Sequence, residues 1–119
     1  MREIKFRGLR IDGKGWIYGN LLFDSENNPM IRFFESWDLI RHVLVIPKTV
    51  GEFTGLKDKN GVDIYEGDML SFNGSEKLIV SFQQGSFGCL DNYNDFVSFC
   101  DWNMSMSELA GNIYENKEL

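Results

Sequence analysis

The chain has 119 residues with 12 basic and 18 acidic side chains, giving a net charge of −6 with histidine neutral. This length suits one domain that can bury an apolar core without disulfides, and the acidic balance disfavours nucleic acid as the default partner because phosphate binding needs cations. Two cysteines, Cys89 and Cys100, and an N-terminus without an apolar signal segment favour a reduced, cytoplasmic protein, and no apolar run approaches the length of a membrane span.

The N-terminal segment predicts an antiparallel hairpin. Residues 2–11 alternate between apolar and polar side chains until Gly8, where the phase slips by one residue and indicates a β-bulge. Residues 12–15 contain two glycines and predict a turn, after which residues 16–23 form the returning strand.

The structure of residues 30–47 is predicted from hydrophobic periodicity and from proline. A short strand is expected over residues 30–34, whereas residues 35–42 fit neither period and predict a helical turn or an irregular crossover. Pro47 ends the strand of residues 43–46. We expect one domain over residues 1–119, with a soft division near residue 47.

Four residues form the central turn motif, and we interpret them as structural rather than catalytic. Asn60-Gly61 is the strongest dipeptide signal for a hairpin. Gly67-Asp68 precedes a strand that begins at Met69, and Gly67 is expected to have a positive φ.

The C-terminal half continues this alternation of turns and strands. Asn73-Gly74 predicts another hairpin turn, residues 96–102 predict a strand, and residues 104–110 predict either a helical turn or an edge strand. No segment of 12 or more residues keeps a helical period. The expected fold is therefore mainly β, a small barrel or sandwich with little helix.

Charge is distributed unevenly along the chain. Residues 1–14 hold five basic and two acidic side chains, whereas residues 58–119 hold three basic and eleven acidic ones. This polarity favours head-to-tail self-association or a basic partner, although solubilising surface charge produces the same pattern. A candidate basic contact surface comprises Arg2, Lys5, Arg7 and Arg10.

Metal and catalytic templates do not fit the sequence. Asp58 and Asn60 match the first and third positions of a calcium loop, but Met69 stands where that loop requires a glutamate. Two cysteines and one histidine do not supply the four ligands of a zinc site. A pairing of His42 with either cysteine stays open, since free cysteines are more often small buried hydrophobes. No cofactor or metal is expected.

Several motifs together resemble a known family. They are residues 49–61 (TVGEFTGLKDKNG), 64–68 (IYEGD) and 111–116 (GNIYEN), supported by residues 2–7 (REIKFR) and 45–47 (VIP). In combination they resemble the YopX family of small proteins encoded by bacteriophages and prophages. Lys117 and Phe53 depart from residues that are frequent in that family.

This resemblance implies a mainly β, barrel-like fold and self-association, and it carries over no catalytic residue. Residues 66–70 (EGDML) also resemble the strand entry of SH3-like barrels, in which the aspartate accepts backbone N–H groups, so an SH3-like C-terminal half is expected. We expect a non-enzymatic phage accessory protein that acts through protein contacts, as a homo-oligomer and on a host or phage protein. The alternatives are a nucleic-acid module that uses the basic N-terminal strand and, less favoured, a small enzyme.

Overall fold

A computed structural model describes residues 3–72, 77–98 and 106–115. The chain divides into two compact units, unit 1 (Met1–Phe53) and unit 2 (Thr54–Leu119). The prediction of a single domain with a division near residue 47 stays a prediction. The described elements are β1 (Phe6–Leu9), β2 (Trp16–Phe23), β3 (Pro29–Ser36), β4 (Leu39–Leu44), a 3₁₀ helix (Pro47–Thr49), β5 (Gly51–Lys57), β6 (Asp63–Tyr65), β7 (Asp68–Phe72), β8 (Leu78–Gln83), β9 (Ser86–Leu90), β10 (Phe96–Ser98) and β11 (Ser107–Asn112).

In unit 1, strands β1 to β4 and the first residues of β5 pair antiparallel in the order β4-β3-β2-β1-β5. The predicted N-terminal hairpin is confirmed, with Phe6 opposite Gly19 and Leu9 opposite Trp16. The predicted bulge at Gly8 is wrong, because the register runs without a shift through this residue. Gly8 instead permits close packing, since a Cβ atom there would lie 2.8 Å from the Cβ atom of Val45.

Residues 35–42 form a β-hairpin rather than a helical turn or a crossover. Strand β3 continues to Ser36, the chain turns at Trp37 and Asp38, and β4 begins at Leu39. A register shift between Phe34 and Ser36 accounts for the irregular apolar spacing that obscured this hairpin in the sequence.

The ends of β1 and β4 lie side by side in unit 1. Arg10 forms an isolated bridge with Val45, and Ile46 donates its N–H to the carbonyl of Leu9 at 2.8 Å. Thr49 strengthens this junction because its hydroxyl accepts the Leu9 N–H at 2.9 Å and donates to the Ile46 carbonyl at 2.6 Å. The buried core of unit 1 includes Ile31, Val45, Thr49 and Phe53.

Unit 2 contains β6 beside the end of β5 and a five-stranded antiparallel sheet with the order β10-β9-β8-β7-β11. Its core is a cluster of buried apolar side chains at alternating strand positions: Ile64, Leu70, Leu78, Val80 and Cys89. The segment 104–110, predicted as a helical turn or an edge strand, supplies the edge strand β11 from Ser107 onward.

The mainly β prediction is confirmed, and the strands form two antiparallel sheets that are not closed into a barrel over the described residues. Over the described residues both sheets therefore have edge strands, and neither forms a closed barrel. The predicted Asn73-Gly74 turn, Cys100 and the end of the strand predicted over residues 96–102 lie outside the described residues. In the part of the chain that the structure describes, no helix is long and apolar enough to cross a membrane.

Candidate functional site

Two adjoining clefts in unit 1, which we call the cation cleft, lie where β4 meets the end of β1. Their volumes are about 430 and about 390 Å³, and both are lined by Arg10 and Arg41. The remaining lining residues are Ile11, Asp12, His42, Val43 and Leu44 in the first cleft and Lys14, Phe33 and Glu35 in the second.

One wall of the cation cleft is a short network around Asp12. Arg10 donates to both carboxylate oxygens of Asp12, from Nε at 3.1 Å and from Nη2 at 2.8 Å, and the backbone N–H of Lys14 donates to Oδ1 at 3.0 Å. The hydrogen bond from Arg10 is the main reason that the pKa of Asp12 lies below its ordinary value. Asp12 therefore stays ionised at neutral pH and keeps the Arg10 guanidinium oriented.

The opposite wall of the cation cleft comes from the β3–β4 hairpin. Arg41 Nε donates to Glu35 Oε1. Phe33 and Arg41 lie opposite each other in the β3–β4 register, so their side chains share one face of the sheet. The cleft thus combines charged groups with an aromatic ring.

The predicted basic contact surface is not gathered into one patch. Arg7 is buried, with its guanidinium 4.6 Å from the centre of the Trp16 ring. Lys5 lies over the Phe53 ring at 4.7 Å, and Arg2 lies outside the described residues. Of the three described residues of this predicted surface, Arg10 lines the cation cleft, together with Lys14 and Arg41, which the predicted surface did not include.

An exposed apolar cluster lies at the end of the β3–β4 hairpin, and we call residues 34–40 the hairpin tip. Trp37 is 91% exposed and Phe34 is 66% exposed, and Leu39 and Ile40 are each 43% exposed. Phe34 lies opposite Ile40 in the register. Sequence analysis missed this cluster because the apolar residues follow no single period.

Asp58, which the sequence matched to the first position of a calcium loop, organises a hairpin turn. Asp58 accepts the backbone N–H groups of Asn60 and Val62 at Oδ1, at 2.9 and 3.0 Å. Asp24 and Asp91 accept the N–H groups two and four residues ahead in the same way. In all three turns the fourth residue has a positive φ, with 68° at Asn27, 81° at Gly61 and 63° at Asn94.

Asp58 differs from its two counterparts by a third bond. Its Oδ2 accepts the N–H of Leu109 in β11 at 3.0 Å, and the residue is buried. Burial alone raises the pKa of Asp58, but the hydrogen bonds from Leu109, Val62 and Asn60 outweigh it, so the pKa lies below its ordinary value. The Asp58 carboxylate therefore binds N–H groups of the protein's own backbone rather than a ligand.

Gly67 and Asp68 occupy a tight turn before β7. Gly67 has a φ of 95° and donates its N–H to the Val80 carbonyl at 3.0 Å. Asp68 is buried and accepts the Tyr65 N–H at 2.7 Å. Both residues therefore contribute to the geometry of the turn.

Groups suited to metal binding or nucleophilic catalysis do not converge in the described part of the chain. No cluster of three or more histidine, cysteine or acidic side chains there is arranged to hold a metal ion. Cys89 is 1% exposed, and burial raises the pKa of its thiol to about 12. His42 is exposed on β4 in unit 1, whereas Cys89 belongs to the core of unit 2.

The chain is similar to known proteins along its whole length. A model of the family described as YopX protein matches residues 5–119, while no curated protein matches. The crystal structure of protein EF1440 from Enterococcus faecalis has a TM-score of 0.63 at 23% identity, over 99% of this chain and 98% of that one. That likeness shows a shared fold, and the family match confirms the resemblance of the central and terminal motifs: the chain belongs to the YopX protein family.

Proposed function

We propose that this protein is a non-catalytic phage or prophage accessory protein that acts in the host cytoplasm through protein contacts, and that its hairpin tip binds a second copy of the chain. The observation that carries the proposal is the exposure of four large apolar side chains within residues 34–40, with Trp37 almost entirely exposed. Clusters of this kind on a small protein mark interaction sites, and tryptophan is enriched among the residues that dominate binding energy.

The charge of the two units supports a second copy as the partner. Unit 1, which carries the hairpin tip, has eight basic and seven acidic residues, and unit 2 has four basic and eleven acidic residues. Two copies of unit 2, each with a net charge of −7, repel each other, whereas unit 1 with a net charge of +1 does not repel unit 2, so charge favours a contact between unlike units. A head-to-tail contact in which the tip meets unit 2 satisfies both observations.

The chemistry of the described side chains supports a binding role over a catalytic one. A thiol with a pKa of about 12 is almost entirely protonated at neutral pH, so Cys89 is a poor nucleophile. Asp24, Asp58 and Asp91 hold their own turns through backbone hydrogen bonds. These groups serve the fold, whereas the exposed apolar side chains of the hairpin tip are suited to contact with a partner.

The test is the concentration dependence of molar mass, measured by analytical ultracentrifugation at low salt. We expect reversible self-association, and we expect Trp37→Ser to weaken it at least about tenfold because a buried tryptophan at an interface contributes about 2 kcal/mol or more. Raising the salt concentration should also weaken the association, since charges on the two units are then screened.

Phe23 supplies a matched control, because it is an exposed aromatic residue of unit 1 with 56% of its surface accessible, and it pairs with Pro29 at the end of β3 away from the hairpin tip. Phe23→Ser should leave the association constant within about twofold of the unsubstituted protein. A strict monomer at all concentrations, or an equal loss in the two variants, would contradict the role of the hairpin tip.

A further inference from the structure

We propose that the cation cleft binds the phosphate group of a small phosphorylated organic molecule. Its cationic groups come from three separate places in unit 1: Arg10 follows β1, Lys14 lies in the next turn, and Arg41 belongs to β4. The bridge between Arg10 and Val45 brings the end of β1 against the end of β4, so groups about thirty residues apart line one space.

The arginines of the cation cleft are held in place before any ligand arrives. Asp12 bonds two N–H groups of Arg10, and the Arg10 side chain is only 23% exposed. Arg41 is held by one hydrogen bond, which its Nε donates to Glu35 Oε1. Because a guanidinium has five N–H donors, each arginine keeps donors for a phosphate while its carboxylate partner limits its motion.

The charge of the cleft favours an anion. Arg10, Lys14 and Arg41 provide three fixed positive charges against the two carboxylates of Asp12 and Glu35. Lys14 lines the second cleft together with Arg10 and Arg41, so its ammonium group adds to the positive charge there. A local cationic surplus is unexpected on a chain with a net charge of −6, and a phosphate monoester complements it.

The apolar lining argues for an organic phosphate rather than the free ion. Phe33 stands beside Arg41 in one cleft, and Ile11, Val43 and Leu44 line the other. Volumes of about 430 and about 390 Å³ are those of sites for small organic ligands. An aromatic ring next to an arginine offers a flat group, such as a nucleobase, a surface for stacking.

The experiment is calorimetric titration of the full chain at low salt with three probes: inorganic phosphate, adenosine monophosphate and adenosine. We expect adenosine monophosphate to bind most tightly, because it alone presents both the anion and a flat apolar body. Arg41→Gln and Lys14→Gln should each weaken its binding about tenfold, the size expected for one charge-assisted hydrogen bond.

A control variant distinguishes binding at the cation cleft from a general effect of positive charge on the surface. Arg32→Gln removes the same charge from exposed β3 but does not line either cleft, so binding should change less than about twofold. Lys14 lies in an exposed turn, so its variant should retain the melting temperature of the unsubstituted chain.

Three results would overturn the proposal. The first is the absence of binding by adenosine monophosphate at millimolar concentration, and the second is equal weakening by Arg32→Gln and Arg41→Gln. The third is binding of a ten-nucleotide single strand without binding of the mononucleotide, which would assign the cleft to a nucleic-acid backbone instead.

Discussion

Asp58 shows how much one carboxylate contributes when it joins a turn to a distant strand. Asp58→Ala would leave three backbone N–H groups without their acceptor, one of them on Leu109. We expect a loss of about 3 kcal/mol in the free energy of unfolding of unit 2, because an unsatisfied buried donor costs about 1–3 kcal/mol. Urea denaturation measures this loss.

Asp91 is the matched control because it makes the same two turn bonds at an exposed site. Asp91→Ala should cost about 1 kcal/mol or less. An equal cost at both positions would mean that the bond to Leu109 adds nothing to stability.

The pH dependence of stability follows from the lowered pKa of Asp58. The ordinary value is 3.8, and the folded state holds the pKa below it. The stabilisation by the ionised carboxylate is therefore complete above about pH 5 and declines as the pH falls through 3.8 towards the folded-state value. Asp58→Asn should make the free energy of unfolding depend less steeply on pH in this acidic range. An unchanged dependence would mean that other carboxylates cause the loss of stability in acid.

At the level of elements, the pairing of β2 with β3 depends on a missing side chain. A Cβ atom at Gly19 would lie 2.1 Å from the backbone carbonyl oxygen of Arg32, which cannot move without disrupting the strand pair. We expect Gly19→Ala to destabilise unit 1 by about 2 kcal/mol or more, as for overpacked interiors. Chemical denaturation followed by intrinsic tryptophan fluorescence, to which Trp16 in β2 contributes, measures this effect.

Gly13→Ala is the control for the destabilisation expected from Gly19→Ala. It has a φ of 82°, and an added Cβ would meet no atom within 4 Å. Gly13→Ala should therefore cost only the backbone strain, about 1 kcal/mol. If the two alanine variants were equally stable, the close approach of β2 and β3 at Gly19 would not be a constraint.

For the whole molecule, the unequal charge of the two units predicts unequal responses to salt. Unit 2 carries a net charge of −7 and unit 1 a net charge of +1. Raising sodium chloride from about 20 mM to about 300 mM shortens the Debye length from about 20 Å to about 6 Å, which relieves repulsion among the acidic groups of unit 2. We expect slower hydrogen exchange in β8 of unit 2 and little change in β2 of unit 1.

Hydrogen exchange is measured at a protein concentration below that of self-association, so that the exchange rates are those of the monomer. Faster exchange in β8 at high salt would show that attractive pairs, such as Lys59 with Glu108 at 3.3 Å, outweigh the repulsion.

The sequence by itself determined the β class, the N-terminal hairpin, the Asn60-Gly61 turn and the family, because strand periodicity and turn chemistry are local properties. It also contained the repeated turn pattern of an aspartate followed three residues later by asparagine or glycine, as at Asp24, Asp58 and Asp91. The same spacing occurs at Asp12 and Gly15, so the pattern predicts four turns in which a carboxylate accepts backbone N–H groups.

Only the tertiary structure decided which side chains meet. Arg7 and Arg10 are neighbours in the basic N-terminal strand, yet Arg7 is buried against Trp16 and Arg10 joins Arg41 in the cation cleft. The exposure of Trp37 likewise depends on a register shift that makes residues 34–40 the end of a hairpin. Both outcomes depend on pairings between separate strands, and the energies that select those pairings are not encoded in any short stretch of sequence.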